Sequence, residues 1–457
     1  MRPIPTLKIS VSGVRGVVGD SLTPAMVARF AQAFATYVGG GRVVIGRDPR
    51  TSGEMVRQAV VAGLVSGGAR VSDLGVCPTP TVQLLVRELG ASGGIAVTAS
   101  HNPPEWNALK FVGADGLFLS AARGRELLDI YHQGDYTKVP GPAQRAPQSV
   151  PDAVDRHVQA VVSGIGRLPT GGRRLTVGVE RGGGAASVAA PRLVEALGAE
   201  VTAIHTTADG RFPRPAEPVV ENLGALSEAV RTRRADVGFA QDMDGDRLAI
   251  VDAAGRAIGE ELTLILAAEQ VLAHTPGPVV TNVATTDAVD ALAERYGVTV
   301  ARTRVGEANV AEGMRRAGAV IGGEGNGGVL YPKVNFGRDS LVGMALVLHR
   351  LAETGRPIAD LAADYDGYKV VKILRPCPID RARVLLERAR ALWAEREPDL
   401  TDGVKVRLPE GWFIVRPSNT EPVVRVIAEA ATEDAARSLA EQAWVLAAET
   451  LDPATGG

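Results

Sequence analysis

Residues 42–75 read RVVIGRDPRTSGEMVRQAVVAGLVSGGARVSDLG: an apolar β-branched run, a polar loop, a stretch of helical length, a glycine, and a second apolar run. The same rhythm returns at 174–205 (RLTVGVERGGGAASVAAPRLVEALGAEVTAIH), with Gly198 where the first copy has Gly68, and again at 278–306 (PVVTNVATTDAVDALAERYGVTVARTRVG). A strand, helix, strand unit repeated in this way calls for largely parallel sheets covered by helices, because parallel neighbours need a crossover connection. Three unrelated units inside one large α/β domain would carry the same rhythm. After residue 367 the pattern changes to KVVKILRPCP, a helix-period stretch over 380–394, GVKVRLPEGWFIVRPSNTEPVVRVIAEA, and a final helix from about Thr432. Strands parted by Pro-Glu-Gly-Trp read as hairpins, so this tail is a small α+β unit. Breaks fall in the proline-rich 139–151, at 253–255 and at 365–367. The expected division is 1–145, 146–255 and 256–366, three similar α/β domains with mixed, largely parallel sheets, followed by a C-terminal α+β domain over 367–457.

The length of 457 residues agrees with several domains at about 150 residues each. Lys plus Arg number 50 and Asp plus Glu 52, so a net charge of −2 gives no electrostatic case for nucleic acid or an anionic membrane. Aromatic residues make up 4%, and no basic patch interleaves with them. No stretch approaches the ~20 apolar residues of a membrane span, and MRPIPTLKIS lacks the apolar core of a secretory signal. The expectation is a cytoplasmic chain. Cys77 and Cys377, each beside a proline, have neither CxxC spacing nor enough partners for a disulfide framework, and are expected to pack.

Three stretches carry chemistry. GIAVTASHNP (94–103) places Ser100 after an apolar strand, at the carboxyl end where open α/β sheets bind ligands, so Ser100 is a nucleophile candidate; an ST-turn or helix cap would use the same residues. ADVGFAQDMDGDR (235–247) sets Asp242, Asp244 and Asp246 at alternating positions, which in an extended segment face one way and can converge on one hard cation. An EF-hand is excluded, since Arg247 and Ala253 stand where it needs glycine and glutamate, while a solvated acidic turn stays open. RPSNTEPVVR (416–425) gathers Arg416, Ser418, Asn419, Thr420 and Arg425 on a tight turn, a phosphomonoester cradle or an ordinary hairpin. Smaller pieces are Arg15 in SGVRG, Lys110 beyond the Ser100 loop, and GGEGNGG (322–328), where Glu324 and Asn326 stand on a backbone open to a sugar's vicinal hydroxyls.

Taken in order, SGVRG, TASHNP, DMDGDR, GEGNGG and RPSNTEP resemble the motifs of the α-D-phosphohexomutase superfamily, which includes phosphoglucomutase, phosphomannomutase and phosphoglucosamine mutase, over nearly the whole chain. The resemblance implies four domains around a central cleft. It implies a phosphoryl group on Ser100 and Mg2+ held by Asp242, Asp244, Asp246 and an oxygen of that phosphoserine. Glu324 and Asn326 would read the sugar, while Arg416, Ser418, Asn419, Thr420 and Arg425 would bind the phosphate that does not react. Arg15, His101, Lys110 and Arg247 would surround the transferring group, with Lys110 moving the proton. The resemblance further implies a small hexose phosphate as partner, met by a monomer or homodimer, and a hexose 1,6-bisphosphate as both intermediate and activator. Many bacterial relatives have Glu-x-Ser-Gly-His in the sugar loop; here Asn326 stands at the serine position and Gly328 at the histidine position, so no role of that histidine transfers. Ala108, where relatives often have glycine, is a second departure. Glu307 and the GEGNGG loop tilt the expectation toward glucosamine phosphate, with mannose or glucose phosphate as alternatives. A metal-dependent sugar phosphatase would need a positioned water and leave the second phosphate cradle without purpose. A non-catalytic phosphosugar-binding protein would be expected to have lost the serine or an aspartate.

Overall fold

The computed structural model describes residues 6–10, 13–169, 173–180, 183–204, 210–418 and 422–449. Four sheets follow one another along the chain. The first has strands in the order Lys8–Ser10, Gly13–Val17, Trp106–Gly113, Gly93–Val97, Arg42–Arg47, Arg70–Val76 and Gln148–Ser149. Its Val- and Ile-rich strands Gly93–Val97, Arg42–Arg47 and Arg70–Val76 run parallel, joined by helices Gly53–Ser66 and Thr79–Glu88 as the crossover rule requires. The proline-rich stretch read as a linker contributes Gln148–Ser149, which pairs parallel with Ser72 and Asp73.

The second and third sheets repeat a simpler plan. Leu248–Asp252, Val237–Gln241, Thr176–Glu180 and Glu200–Ile204 form one; Val300–Thr303, Val279–Asn282, Ile321–Glu324 and Gly328–Leu330 form the other. In each, three strands are parallel and one is antiparallel. The last sheet, Lys369–Pro376, Val423–Ala430, Gly411–Pro417 and Val404–Leu408, is wholly antiparallel, with helices Ile379–Leu392 and Glu433–Glu449 beside it. The α/β units with mixed sheets and the α+β tail read from the sequence are thus present.

The antiparallel strands matter most, because each turns a parallel strand back through a hairpin. Residues 98–105 join Gly93–Val97 to Trp106–Gly113, residues 242–247 join Val237–Gln241 to Leu248–Asp252, and residues 325–327 join Ile321–Glu324 to Gly328–Leu330. TASHNP, DMDGDR and GEGNGG therefore each lie at the carboxyl end of a parallel strand. In the tail, the antiparallel strands Gly411–Pro417 and Val423–Ala430 flank the RPSNTEP motif, of which residues 419–421 lie outside the described residues.

One apolar core runs through the helices packed between the first three sheets, where Val82, Val158, Leu193, Leu266 and Leu348 are all buried. The tail has its own core, centred on Leu385, Phe413, Val426 and Ala440. Burial of this kind, at roughly 25 cal/mol per Å² of apolar surface, is what holds the hairpin turns in place. Among the described residues no helix is long and apolar enough to cross a membrane. Cys77 and Cys377 are buried and unbridged, and burial pushes the Cys77 thiol up to about 12, in keeping with packing.

Candidate active site

Ser100 stands three residues past the end of its strand, Gly93–Val97, in a left-handed conformation, φ 49°, that costs a non-glycine residue about 1 kcal/mol or more. Its N–H donates to Thr98 Oγ1 (3.0 Å), whose hydroxyl donates to Asp48 Oδ2 (2.6 Å). The Ser100 hydroxyl donates to Asp242 Oδ2 at 2.7 Å across the boundary between the first two sheets. His101 Nδ1 lies 3.4 Å from the same oxygen.

Asp242, Asp244 and Asp246 are buried and each offers an oxygen within 4.8 Å of the others. The convergence does not come from an extended segment, as the alternating positions implied. Residues 242–247 form a tight turn in which Gly245 takes φ 70° and Asp242 Oδ1 accepts from the N–H groups of Asp246 (3.1 Å) and Arg247 (3.2 Å). The carboxylates meet because one of them caps its own turn.

The remaining oxygens divide between protein and interior. Asp244 Oδ2 accepts from Thr79 Oγ1 (2.8 Å) and Lys110 Nζ (2.6 Å), and Asp246 Oδ2 from Arg338 Nη2 (2.5 Å). Asp244 Oδ1 and Asp246 Oδ1 are buried with no hydrogen-bond partner among the described residues. Orphaned acceptors of this kind are costly unless something fills them, and an all-oxygen set suits a hard divalent cation. The trio therefore fits a hard divalent metal ion.

Sheet register supplies the cations. Lys110 pairs across from Ala96, and Arg15 from Ala108 on the next strand, so Arg15 and Lys110 share one face. Arg15 Nη1 donates to Asn102 Oδ1 (3.1 Å) within the Ser100 loop, and Arg247 Nη1 to Glu217 Oε1 (2.8 Å). Burial acting alone would lower the pKa of Lys110, but Asp244 and Asp246 outweigh it and the net shift is upward, which keeps an ammonium in place. Asp244 is correspondingly held below the usual carboxylate range despite burial. Asp242 goes the other way: burial first, then Asp246 and Asp244, raise it well above that range. His101 is pushed well below the ordinary imidazole value by burial and by Arg247, Arg15, Arg425 and Lys110. The influence of Arg425 is informative, because it brings the C-terminal sheet to bear on the Ser100 loop.

The sugar-loop candidates are more heavily engaged than expected. Glu324 is 1% exposed; its Oε1 accepts from Asn282 Nδ2 (2.9 Å) and the Gly306 N–H (2.8 Å), and its Oε2 from Arg338 Nη1 (2.8 Å). Asn326 Oδ1 accepts from the Gly328 N–H (3.2 Å). Burial raises Glu307 to about 7; it accepts from Gln83 Nε2 (2.6 Å) and lies 3.3 Å from Arg338. In the tail, Arg416 Nη2 meets Asp402 Oδ2 (3.2 Å), and Ser418 N–H donates to the Val423 carbonyl (2.8 Å). Asn419 and Thr420 lie outside the described residues. The structure thus joins Ser100, His101, Lys110, Arg247 and the three aspartates directly, with Arg15 one residue removed through Asn102 and Glu324 linked to Asp246 through Arg338.

Sequence reasoning missed Arg50, Thr79 and Arg338. Arg50 and Arg338 sit in polar loops that read as solvated, and Thr79 is the first residue of helix Thr79–Glu88; only a Gly-Arg-Asp triplet, at 46–48 beside Arg50 and at 337–339 around Arg338, hints at buried charge.

Comparison with known proteins gives matches along the chain. Residues 6–138, 155–255 and 259–368 match the descriptions "Phosphoglucomutase/phosphomannomutase, alpha/beta/alpha" domains I, II and III, and 375–444 matches the C-terminal domain. The chain is 36% identical over 435 residues to a "Probable phosphoglucosamine mutase" of Methanopyrus kandleri, covering 94% of this chain and 95% of that one. It is 35% identical over 453 residues to a "Phosphoglucomutase/phosphomannomutase" of Thermococcus kodakarensis, covering 96% and 98%. A solved structure of a phosphoglucomutase/phosphomannomutase family protein from Burkholderia thailandensis superposes with a TM-score of 0.85 at 28% identity, covering 98% of each chain.

Proposed function

The chain belongs to the phosphoglucomutase/phosphomannomutase family, and from that premise we propose a mutase that exchanges the 6- and 1-phosphates of a hexose through phosphoserine at Ser100, with glucosamine phosphate preferred. Phosphohexomutase activity is what its relatives share, and the enzyme is an intramolecular phosphotransferase. The observation that carries the mechanism is the Ser100 hydroxyl, which donates to Asp242 Oδ2 at 2.7 Å beside a trio of buried carboxylates, with Lys110 Nζ 2.6 Å from Asp244 of that trio. We take the domains as 1–145, 146–255, 256–366 and 367–457.

Phosphoryl transfer asks mainly for positioning and for neutralising charge. Mg2+, held by Asp242, Asp244, Asp246 and an oxygen on Ser100, would supply electrostatic stabilisation of the transferring phosphoryl. The protein does the rest. Arg15, Arg247 and Lys110 neutralise charge around the phosphoryl, and the buried loop excludes water that would turn transfer into hydrolysis. The bond from phosphorus to the Ser100 oxygen breaks as the sugar hydroxyl forms its own bond to phosphorus; the hydroxyl loses a proton and the serine oxygen gains one. We assign the proton exchange to Lys110: its ammonium gives a proton to the departing serine oxygen, and the amine so formed takes up the proton that the sugar hydroxyl loses, so each half-reaction leaves the lysine charged as it began. Arg416, Ser418, Asn419, Thr420 and Arg425 hold the other phosphate while the hexose 1,6-bisphosphate turns end for end. Glu324 and Asn326 then read hydroxyls common to both poses. The preference for glucosamine phosphate draws on the name of the Methanopyrus relative.

The test is intact mass with coupled assays on glucosamine, glucose and mannose phosphates, each with a trace of the bisphosphate. An added phosphate mapping to Ser100 is expected, as are loss of turnover in Ser100→Ala and on chelation of magnesium. Full turnover by Ser100→Ala would sink the mechanism.

A further inference from the structure

Arg338 lies in the loop between strand Gly328–Leu330 and helix Ser340–Thr354, outside every motif that pointed to the site. Its guanidinium reaches three carboxylates: Nη2 donates to Asp246 Oδ2 (2.5 Å), Nη1 donates to Glu324 Oε2 (2.8 Å), and Nε lies 3.3 Å from Glu307 Oε2. The three partners are buried and the arginine side chain is 12% exposed. Its stem occupies space that glycine leaves open, since a Cβ on Gly328 would fall 2.3 Å from Arg338 Cδ and 2.9 Å from its Cγ. A side chain at 328 and this arginine exclude one another.

A carboxylate offers about four acceptor sites. Glu324 Oε1 already takes two donors and Oε2 takes one, so a single acceptor site is left, on the oxygen that Arg338 holds. Arginine's planar fork can keep two carboxylates at a fixed separation, which an ammonium cannot. Anchored on Asp246 at one end, the fork therefore dictates where the last acceptor of Glu324 points.

We propose that Arg338 is a positioning residue for sugar recognition: by bridging the acidic trio and Glu324 it aims one carboxylate lone pair at a sugar hydroxyl and sets the discrimination between hexose phosphates. The inference rests on the phosphohexomutase reading of the site. It assigns to Glu324 one hydroxyl instead of a vicinal pair.

The experiment compares wild type, Arg338→Met, Arg338→Lys, Gly328→Ala, Glu324→Gln and the Glu324→Gln/Arg338→Met double variant on the three sugar phosphates. Loss of one charge-assisted hydrogen bond predicts for Arg338→Met a KM raised about tenfold on the preferred sugar, with kcat less affected. The ratios of kcat/KM among the three sugars should flatten. Gly328→Ala, which carries no polar group, should flatten them too by displacing the arginine stem. The double variant should be no worse than Glu324→Gln within about twofold, as two residues acting through one contact require. Arg338→Lys should recover only part of the discrimination. Wild-type sugar ratios in Arg338→Met, Gly328→Ala or Arg338→Lys would overturn the proposal, and so would losses that multiply in the double variant. Calorimetry with glucose 1-phosphate separates this claim from the one beneath it. Wild type that binds the ligand without turnover on any sugar defeats the mutase reading, whereas Arg338→Met that binds as wild type does defeats the role of Arg338. If Arg338→Met does not fold, Gly328→Ala decides the matter by the same ratios.

Discussion

A guanidinium that is 1% exposed holds the serine in its strained conformation. Arg50 Nη2 donates to the carbonyls of Ser100 (2.5 Å) and Asn102 (2.8 Å), Nη1 to those of Pro103 (2.6 Å) and Trp106 (3.1 Å), and Nε to Asp48 Oδ2 (2.9 Å). Removing one partner of such a buried pair costs about 3–5 kcal/mol, because the other charge is left uncompensated. Arg50→Met is therefore expected to lower the urea midpoint steeply and abolish turnover. The Asp48→Asn/Arg50→Met double variant removes the stranded charge and should regain much of the stability while staying inactive, since the four carbonyls still lack their donor. Denaturation and assay of both variants check this; a double variant with wild-type kcat would show that the clamp is irrelevant to catalysis. Ser100 was legible because a hydroxyl at a strand's end is a local pattern. Arg50 was not, because Asp48-Pro49-Arg50 is indistinguishable in sequence from a solvated turn, and the four carbonyls it reaches lie fifty or more residues away.

The repeating strand, helix, strand units were visible because apolar period and glycine punctuation are local. Their antiparallel neighbours were not: WNALKFVG at 106–113 says nothing of the strand it will pair with, yet that pairing carries Lys110 to Asp244 of the acidic trio. The acidic trio was found through alternation in a strand, and a self-capped turn delivers it instead. Strand Val404–Leu408 hides another element-scale effect. Lys405 is 3% exposed, donates to the Val283 carbonyl (2.9 Å) and sits 3.8 Å above the Trp412 ring; burial first, then Arg302, lowers its pKa to about 8 from the ordinary 10.5, against the pull of Asp287. Between those values the unfolded chain keeps a proton that the folded chain has lost, so stability rises with pH across the window, and the cost of burying the ammonium is fully present below it. The difference in urea stability between wild type and Lys405→Met should therefore climb between pH 8 and 10. A flat difference would mean that Lys405 titrates as an exposed lysine does.

At the scale of the whole molecule, the tail is tied to the third unit on both sides of the loops it must serve. Lys372 Nζ reaches Glu260 (2.6 Å), Glu261 (2.8 Å) and the carbonyl of Gly325 (2.6 Å), in the turn that carries Asn326. Asp402 meets Arg416 of the proposed phosphate cradle (3.2 Å) and accepts from the Val305 N–H (2.9 Å), next to the glycine that donates to Glu324. Glu429 accepts from Trp412 Nε1 (2.9 Å) and the Asp287 N–H (3.0 Å). In the proposed mechanism a sugar bisphosphate that turns over between the two loops would need the tail to swing away and return, and these ties would set the balance between those positions. Lys372 is the one to test, because its side chain is 32% exposed and can be removed without opening the core. Its partly exposed ion pairs are worth about 1 kcal/mol, or roughly fivefold in an equilibrium constant. Lys372→Met should shift the substrate-free protein toward an expanded form, read as a larger radius of gyration in solution scattering, and raise KM by about that factor for every sugar alike. The uniformity distinguishes it from Arg338, whose loss changes the ratios between sugars. Unchanged scattering together with an unchanged KM would show that the tail is held by its apolar contacts alone, and that Lys372 does no more than cap the Gly325 carbonyl.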